Sequence, residues 1–220
     1  IETGFELSEA SHTPVMVEFR IRACHVTGRF ATKDNKQGIY SPNRPLPKPE
    51  FSLDRIALPP GTYLQEKLKI EQRFPAAIDF IRERKLNEVF DGPLDDVGII
   101  CQGGLFNSVI RGLQQLGMAD VFGAAKVPIL CLNVTYPLVD DEIAEFCAGK
   151  RAVLMVEEGF PDYLEQAINA LLRKADLNTE IHGKGLFPKA GEYQAEVMLR
   201  GLAGFMEGSV PRGLDLTPVS

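Results

Sequence analysis

The first exclusions come from what this chain lacks. No apolar run approaches the length of a membrane span, and no segment has the layout of a signal peptide. Cysteine is sparse: Cys24, Cys101, Cys131 and Cys147 lie far apart, and no CxxC or Cys/His pair has zinc or iron–sulfur spacing. His12 and His182 have no companions that suggest metal binding. There is no GxGxxG, no Walker lysine, no Ser-His-Asp order and no HExxH. A basic excess is missing too. The 24 Lys and Arg against 30 Asp and Glu leave a net charge of -6, which argues against a general nucleic-acid binder. Together these absences set an expectation of a cytoplasmic protein with reduced thiols, no metal site, no membrane span and no nucleic-acid partner.

What is present is an ordinary globular composition, 45% hydrophobic and 25% charged, over 220 residues. Three short apolar runs stand out: Val97 to Cys101, Val127 to Leu132 and Ala152 to Val156. They lack polar alternation, as strands buried on both faces of a parallel sheet do. Asn178 to His182 reads as a fourth strand nearer an edge. Between and after these strands, helical spacing predicts helices over Leu105 to Leu116, from Asp140, over Asp162 to Lys174 and over Glu192 to Met206. The expected fold is α/β, with a doubly wound, mostly parallel sheet over 95–208. Before it, residues 31–94 read as a connector rich in proline (Pro42, Pro45, Pro47, Pro49, Pro59, Pro60), then a helical arm kinked or divided at Pro75 and stopped by Asp91-Gly92-Pro93. Residues 1–30 read as helix, strand and loop. Val15, Val17, Phe19 and Ile21 fall on one side of that strand. Residues 209–220 read as a loose tail. The chain opens at Ile1 almost directly on a helix-like segment, and reads as a piece of something longer.

A parallel sheet presents ligands and partners at the carboxyl ends of its strands, so the residues there are the candidates. Gln102-Gly103-Gly104 follows the first run and precedes a helix, whose N-terminus attracts anions; a tight strand-to-helix turn is the favoured reading of so short a motif. Tyr136, beside Pro137, can stack on a partner or pack as part of a rigid loop. Glu157 and Glu158 end the third run, where paired carboxylates serve acid–base chemistry, helix capping or an interface ion pair. Lys184, between two glycines after the fourth strand, can hold a phosphate or carboxylate, or simply sit in an exposed turn. Arg22 and His25 close the early strand and form a substrate-side pair, carboxylate binder and proton carrier. No catalytic residue emerges from these patterns.

The motifs do match a family. Leu130 to Leu138, Asp141-Glu142-Ile143, Val153 to Gly159 and Gly183-Lys184-x-x-Phe187-Pro188-x-x-Gly191-Glu192 together resemble the transketolase C-terminal-like domain of 2-oxoacid:ferredoxin oxidoreductases, the indolepyruvate type in particular. Glu6 to Glu9, Pro14 to Met16 and Arg22 to His25 resemble the end of the pyrimidine-side thiamine domain of the same subunit. The resemblance implies oxidative decarboxylation of an aryl or branched 2-oxoacid to its acyl-CoA. Thiamine diphosphate, magnesium and [4Fe-4S] clusters would serve the whole enzyme, ferredoxin would accept electrons, and the subunits would form a homo-oligomer with the remaining domains. This chain shows no diphosphate-binding GDG…N motif and no cysteine cluster. None of those cofactors is therefore expected on it, and alone it is expected to be inactive. Gln102, Gly103, Gly104 and Lys184 then become candidate coenzyme A contacts, and Tyr136, Glu157 and Glu158 structural or interface residues. Two rivals stand beside this: a stand-alone nucleotide- or coenzyme A-binding module, and the C-terminal domain of a transketolase or a 2-oxoacid dehydrogenase E1. Arg22-x-x-His25 favours the ferredoxin-linked enzymes over the last.

Overall fold

The three apolar runs form the centre of one five-stranded sheet, β1 (Glu88–Phe90), β2 (Val97–Gln102), β3 (Ile129–Leu132), β4 (Ala152–Val156) and β5 (Glu180–His182). The computed structural model describes residues 1–32, 43, 48 and 56–210, with Arg22 and Ala23 by backbone alone. Most of the proline-rich connector, including Pro42, Pro45, Pro47 and Pro49, and the tail from 211 onward lie outside the described residues. The chain divides into two compact units, Ile1–Ala76 and Ala77–Ser220.

In the second unit the strand order is β1-β3-β2-β4-β5. The last four strands run parallel, as the sequence predicts, with Cys101 opposite Cys131 and Ile99 opposite Leu154 in register. Period-2 alternation divides the apolar side chains between two faces. Ile99, Cys101, Ile129, Cys131, Leu154 and Val156 pack under α4 (Phe106–Gln115) and α7 (Ala195–Ser209). Ile100, Leu130, Leu132, Val153 and Met155 pack under α5 (Asp140–Cys147) and α6 (Tyr163–Lys174). Each helix supplies its apolar stripe, Val109 and Leu113 from α4 and Ile168 and Leu172 from α6 among them.

The sequence reading misses β1. This edge strand pairs antiparallel with β3, Val89 opposite Leu130. The apolar spacing of the arm runs on through Leu86, but the helix ends at Glu83, and Lys85 takes a left-handed φ of 49° that turns the chain. Asp91-Gly92-Pro93 therefore follows a strand and does not stop a helix. The unit boundary also falls inside α3 (Phe74–Glu83), so the end of the arm goes with the sheet instead of breaking from it at residue 94.

In the first unit α1 (Glu2–Ser11) is closed by His12, at φ 51°, and by the Ser11 hydroxyl, which donates to the Leu7 carbonyl at 2.7 Å. The strand expected over Pro14 to Arg22 does not form. That stretch is irregular, followed by a 3₁₀ turn at Ile21–His25, and Met16, Val17, Phe19 and Ile21 are exposed. Alternation gives a strand only where another strand supplies the ladder, and none among the described residues of this unit does. The arm does not break at Pro75, which is the second residue of α3. A π-helical turn, Lys69–Arg73, joins α2 (Gly61–Leu68) to α3, and the Phe74 N–H reaches back five residues to the Lys69 carbonyl. The widened turn absorbs the N–H that Pro75 lacks.

Candidate functional site

The first crossover, through α4, carries the chain from β2 to β3 on one side; the second, through α5, carries it back past β2 to β4 on the other. Crossovers that reverse in this way open a crevice at the carboxyl ends of the two diverging strands, here β2 and β4. Gln102 ends β2, and Glu157 and Glu158 follow β4, so the sheet brings together three residues that the sequence reading singled out separately.

They bind one another. Oε1 of Gln102 accepts the Glu158 N–H at 2.9 Å, bridging the crevice. Glu157 is buried, and its two carboxylate oxygens accept the N–H groups of Leu164 (3.0 Å) and Glu165 (3.1 Å) in the first turn of α6. A carboxylate there satisfies two amides that no intrahelical acceptor reaches and lies at the positive end of the helix dipole. Glu158 turns its carboxylate the other way and accepts the Tyr193 N–H at 2.6 Å.

Lys184 is drawn into the same cluster. Its ammonium donates to the Glu157 carbonyl and, at 2.7 Å, to the Tyr193 hydroxyl, and lies 5.0 Å from the centre of the Tyr193 ring. Its backbone N–H donates to Glu165 at 2.9 Å. Burial pushes the Lys184 pKa below its usual value, against the pull of Glu157, Glu165, Asp162 and Glu158. Tyr193 is pushed up to about 12, by burial first and then by Glu157, Glu158 and Glu165. Its hydroxyl in turn donates to the Pro188 carbonyl, and its ring stacks on Phe187 with centroids 4.9 Å apart. Segment 183–193 is thus fastened across the carboxyl edge, with Lys184 turned into it.

Gly103 and Gly104 form a 3₁₀ turn, Gly103–Leu105, ahead of α4. A Cβ on Gly103 would stand 2.5 Å from Oδ1 of Asn133, so the bare backbone here admits a neighbouring side chain. Asn133 in turn donates to the Leu86 carbonyl and to Glu88, each at 2.9 Å, tying the β3 exit to β1. Tyr136 is exposed on the same edge, after β3. Arg22 and His25 belong to the other unit, on the 3₁₀ turn Ile21–His25, where His25 is exposed.

Tyr193 is the member of this cluster that sequence reasoning missed. It lies inside the predicted last helix, which starts instead at Ala195. The one local signal was a lone tyrosine just after Gly191-Glu192, in a turn otherwise made of small and polar residues. Among the described residues no group of three or more His, Cys, Asp or Glu is placed to hold a metal ion. Three of the four free cysteines are buried. Cys101 and Cys131 sit side by side in the sheet, where contact with Cys131 and burial push the Cys101 thiol well up. Burial raises Cys147 to about 11. A buried thiol with a raised pKa is a poor thiolate ligand. Among the described residues the four cysteines form no cluster for an iron–sulfur centre, and no carboxylate group is gathered for a magnesium ion. Among the described residues no helix is long and apolar enough to cross a membrane.

No protein-family model matches the chain. Individual proteins do. It is 31% identical over 98% of its length to indolepyruvate oxidoreductase subunit IorA of Methanothermobacter thermautotrophicus, of which it covers 34%. It is 31% identical over 91% of its length to the subunit of the same name from Methanothermobacter marburgensis, of which it covers 31%. The chain thus spans about a third of the length of the curated relatives it matches, and is homologous to that third throughout. Among solved structures, a 2-oxoglutarate:ferredoxin oxidoreductase from Magnetococcus marinus aligns with 68% of the chain and 24% of its own, at TM-score 0.46 and 20% identity. A split-gene transketolase aligns with 60% of the chain and 42% of its own, at TM-score 0.41 and 17% identity.

Proposed function

We propose that this homologue of the IorA subunits is part of an indolepyruvate-type 2-oxoacid:ferredoxin oxidoreductase, and that its α/β unit is an assembly domain and not the seat of the reaction. The whole enzyme decarboxylates an aryl or branched 2-oxoacid oxidatively, passes electrons to ferredoxin and releases the acyl group on coenzyme A. The observation that carries this reading is the 31% identity to an IorA subunit, sustained over 98% of the chain. Thiamine diphosphate, when bound in such an enzyme, supplies the carbanion equivalent for decarboxylation. The described residues of this chain hold no cluster suited to its magnesium ion or to a [4Fe-4S] centre, so in this reading those groups belong to other domains or subunits. The setting is the cytoplasm and the subunits form a homo-oligomer.

The role given to the α/β unit rests on the state of its carboxyl edge. In an α/β protein that binds a nucleotide there, backbone amides and a lysine point outward at the phosphates. Here the Lys184 ammonium is occupied by the Glu157 carbonyl and Tyr193. The Glu157 carboxylate takes the first amides of α6. These contacts favour a structural part for Glu157, Glu158 and Lys184 over a stand-alone nucleotide or coenzyme A module.

The test is reduction of methyl viologen by the enzyme assembled from the complete reading frame and its partner subunit. Indolepyruvate with coenzyme A should drive reduction. The 220-residue chain alone should neither reduce the dye nor give a stoichiometric heat when titrated with thiamine diphosphate and magnesium. An assembled enzyme inert to every aryl and branched 2-oxoacid, or stoichiometric thiamine binding by this chain alone, overturns the reading.

A further inference from the structure

We propose that Cys101 and Cys131 form a reversible dithiol–disulfide site, closed by a hydroperoxide and reopened by a small dithiol reductant.

Register makes the pair. Cys101 on β2 and Cys131 on β3 are direct partners across parallel strands, and both side chains enter the same core face, under α4 and α7. Neighbouring strands lie about 4.8 Å apart. A disulfide joins residues whose Cα atoms are about 4.4–6.8 Å apart, so the bond can close without the strands parting. Cys147 is buried too, but it packs on the opposite face of the sheet.

The two sulfurs are not equivalent. Cys101 is fully enclosed, whereas Cys131 is 3% exposed. On its other side Cys131 faces Glu88 of β1, an edge strand of three residues. Its thiol donates to Oδ1 of Asn133, an exposed residue, at 3.6 Å. Gly103, two residues beyond Cys101, has no side chain to add to this cover, and the same Asn133 oxygen fills the space its Cβ would take. Contact with Cys101 lowers the Cys131 thiol, against burial and the charge of Glu88, and the same contact raises Cys101. Cys131 thus ionises first and lies nearer solvent, and it is the sulfur that takes the oxidant.

The chemistry closes on these two residues. The Cys131 thiolate attacks one oxygen of hydrogen peroxide. An S–O bond forms, the O–O bond breaks, and the departing hydroxide takes up the proton that Cys131 gave away. Cys101 then attacks the sulfenic sulfur. The S–S bond forms, the S–O bond breaks, and the second hydroxide leaves as water with the Cys101 proton. The two thiols have lost two electrons, and the peroxide has become two waters. Exchange with a small dithiol restores both thiols and leaves that reductant as its own disulfide. The new bond ties β2 to β3 one residue before Gln102, whose side chain spans the crevice to Glu158.

Non-reducing peptide mapping tests this on the protein assembled from the complete reading frame and its partner subunit, whether or not that assembly reduces the dye. After brief exposure to hydrogen peroxide, a peptide pair joining Cys101 to Cys131 should appear. It should be about 2 Da lighter than the two thiol peptides together and should be lost on treatment with dithiothreitol. In Cys101→Ala, dimedone should trap a sulfenic acid at Cys131. In Cys131→Ala, Cys101 should stay unlabelled, as should the solitary Cys147. Absence of the joined peptide, pairing of Cys101 or Cys131 mainly with any other cysteine, or labelling of Cys101 or Cys147 ahead of Cys131 overturns the proposal.

Discussion

The Glu158 N–H donates to Oε1 of Gln102 at 2.9 Å, and that bond spans the crevice between the two strands from which the chain departs in opposite directions. A backbone amide half-buried at a strand end has few alternatives to this acceptor. Gln102→Leu keeps the size of the side chain and removes the acceptor. It should destabilise the fold by about 1–2 kcal/mol, the cost of leaving such a donor unmade. Urea unfolding followed by circular dichroism measures it, and Gln102→Glu, which keeps an acceptor oxygen, should recover a good part of the loss.

Glu157 presents a stronger case, because one buried carboxylate serves two amides of α6 at once. Glu157→Gln leaves one oxygen and sets an NH₂ group against the other amide. It also removes a negative charge from the positive end of a helix. The expected loss is about 1–2 kcal/mol, comparable to deleting a strong N-cap. Amide hydrogen exchange at Leu164 and Glu165 should speed up more than exchange in α4, which lies on the other face of the sheet. Equal acceleration in both helices would mean that the cap acts globally.

The parallel core was legible because β2, β3 and β4 are apolar on both faces, and helices of matching spacing follow them. The carboxyl edge was legible as a place, since every strand end could be numbered. What joined its residues was not. Lys184 finds its partners at Glu157 and Tyr193, one far back in the chain and one beyond the next turn, and composition says nothing of such pairings. β1 was hidden because three residues with one exposed valine carry no periodicity of their own. The stretch from Pro14 to Arg22 failed in the opposite sense: its alternation is real, but no ladder that would make it a strand is found among the described residues of its unit.

Tyr193 gives a prediction about alkaline pH. Its folded pKa, about 12, stands above the ordinary 10. Between these values the unfolded chain releases the phenolic proton and the folded one retains it, so the folded state binds more protons and stability falls as pH rises. Below pH 10 the contribution is complete; above 12 it is gone. Lys184 acts in the opposite sense, because its pKa is lowered by burial and the unfolded chain holds the extra proton. Tyr193→Phe should remove the decline between pH 10 and 12 that belongs to this group, on the order of 2 kcal/mol. Phenolate absorbance near 295 nm, wild type minus variant, should show one tyrosine titrating above the ordinary phenol range. A difference spectrum centred at pH 10 would contradict the placement of this ring.

Gly201, in the middle of α7, tests the packing that holds Tyr193 in place. A Cβ there would stand 2.1 Å from an edge carbon of the Phe187 ring, which is itself buried and stacked on Tyr193. Helix propensity favours alanine over glycine by about 1 kcal/mol, so an isolated helix would gain from the change. The ring has no room to retreat without leaving its stack, and overpacking of this kind costs about 1–3 kcal/mol. Overpacking should win, and Gly201→Ala should lower the unfolding midpoint. The displaced ring should also loosen the Tyr193 hydroxyl from the Lys184 ammonium, 2.7 Å away, and let the phenol titrate nearer its ordinary range. Pairing Gly201→Ala with Phe187→Leu, which shortens the obstructing ring, should restore part of the stability. A stabilised single variant would show that Phe187 and α7 are not in contact at this turn.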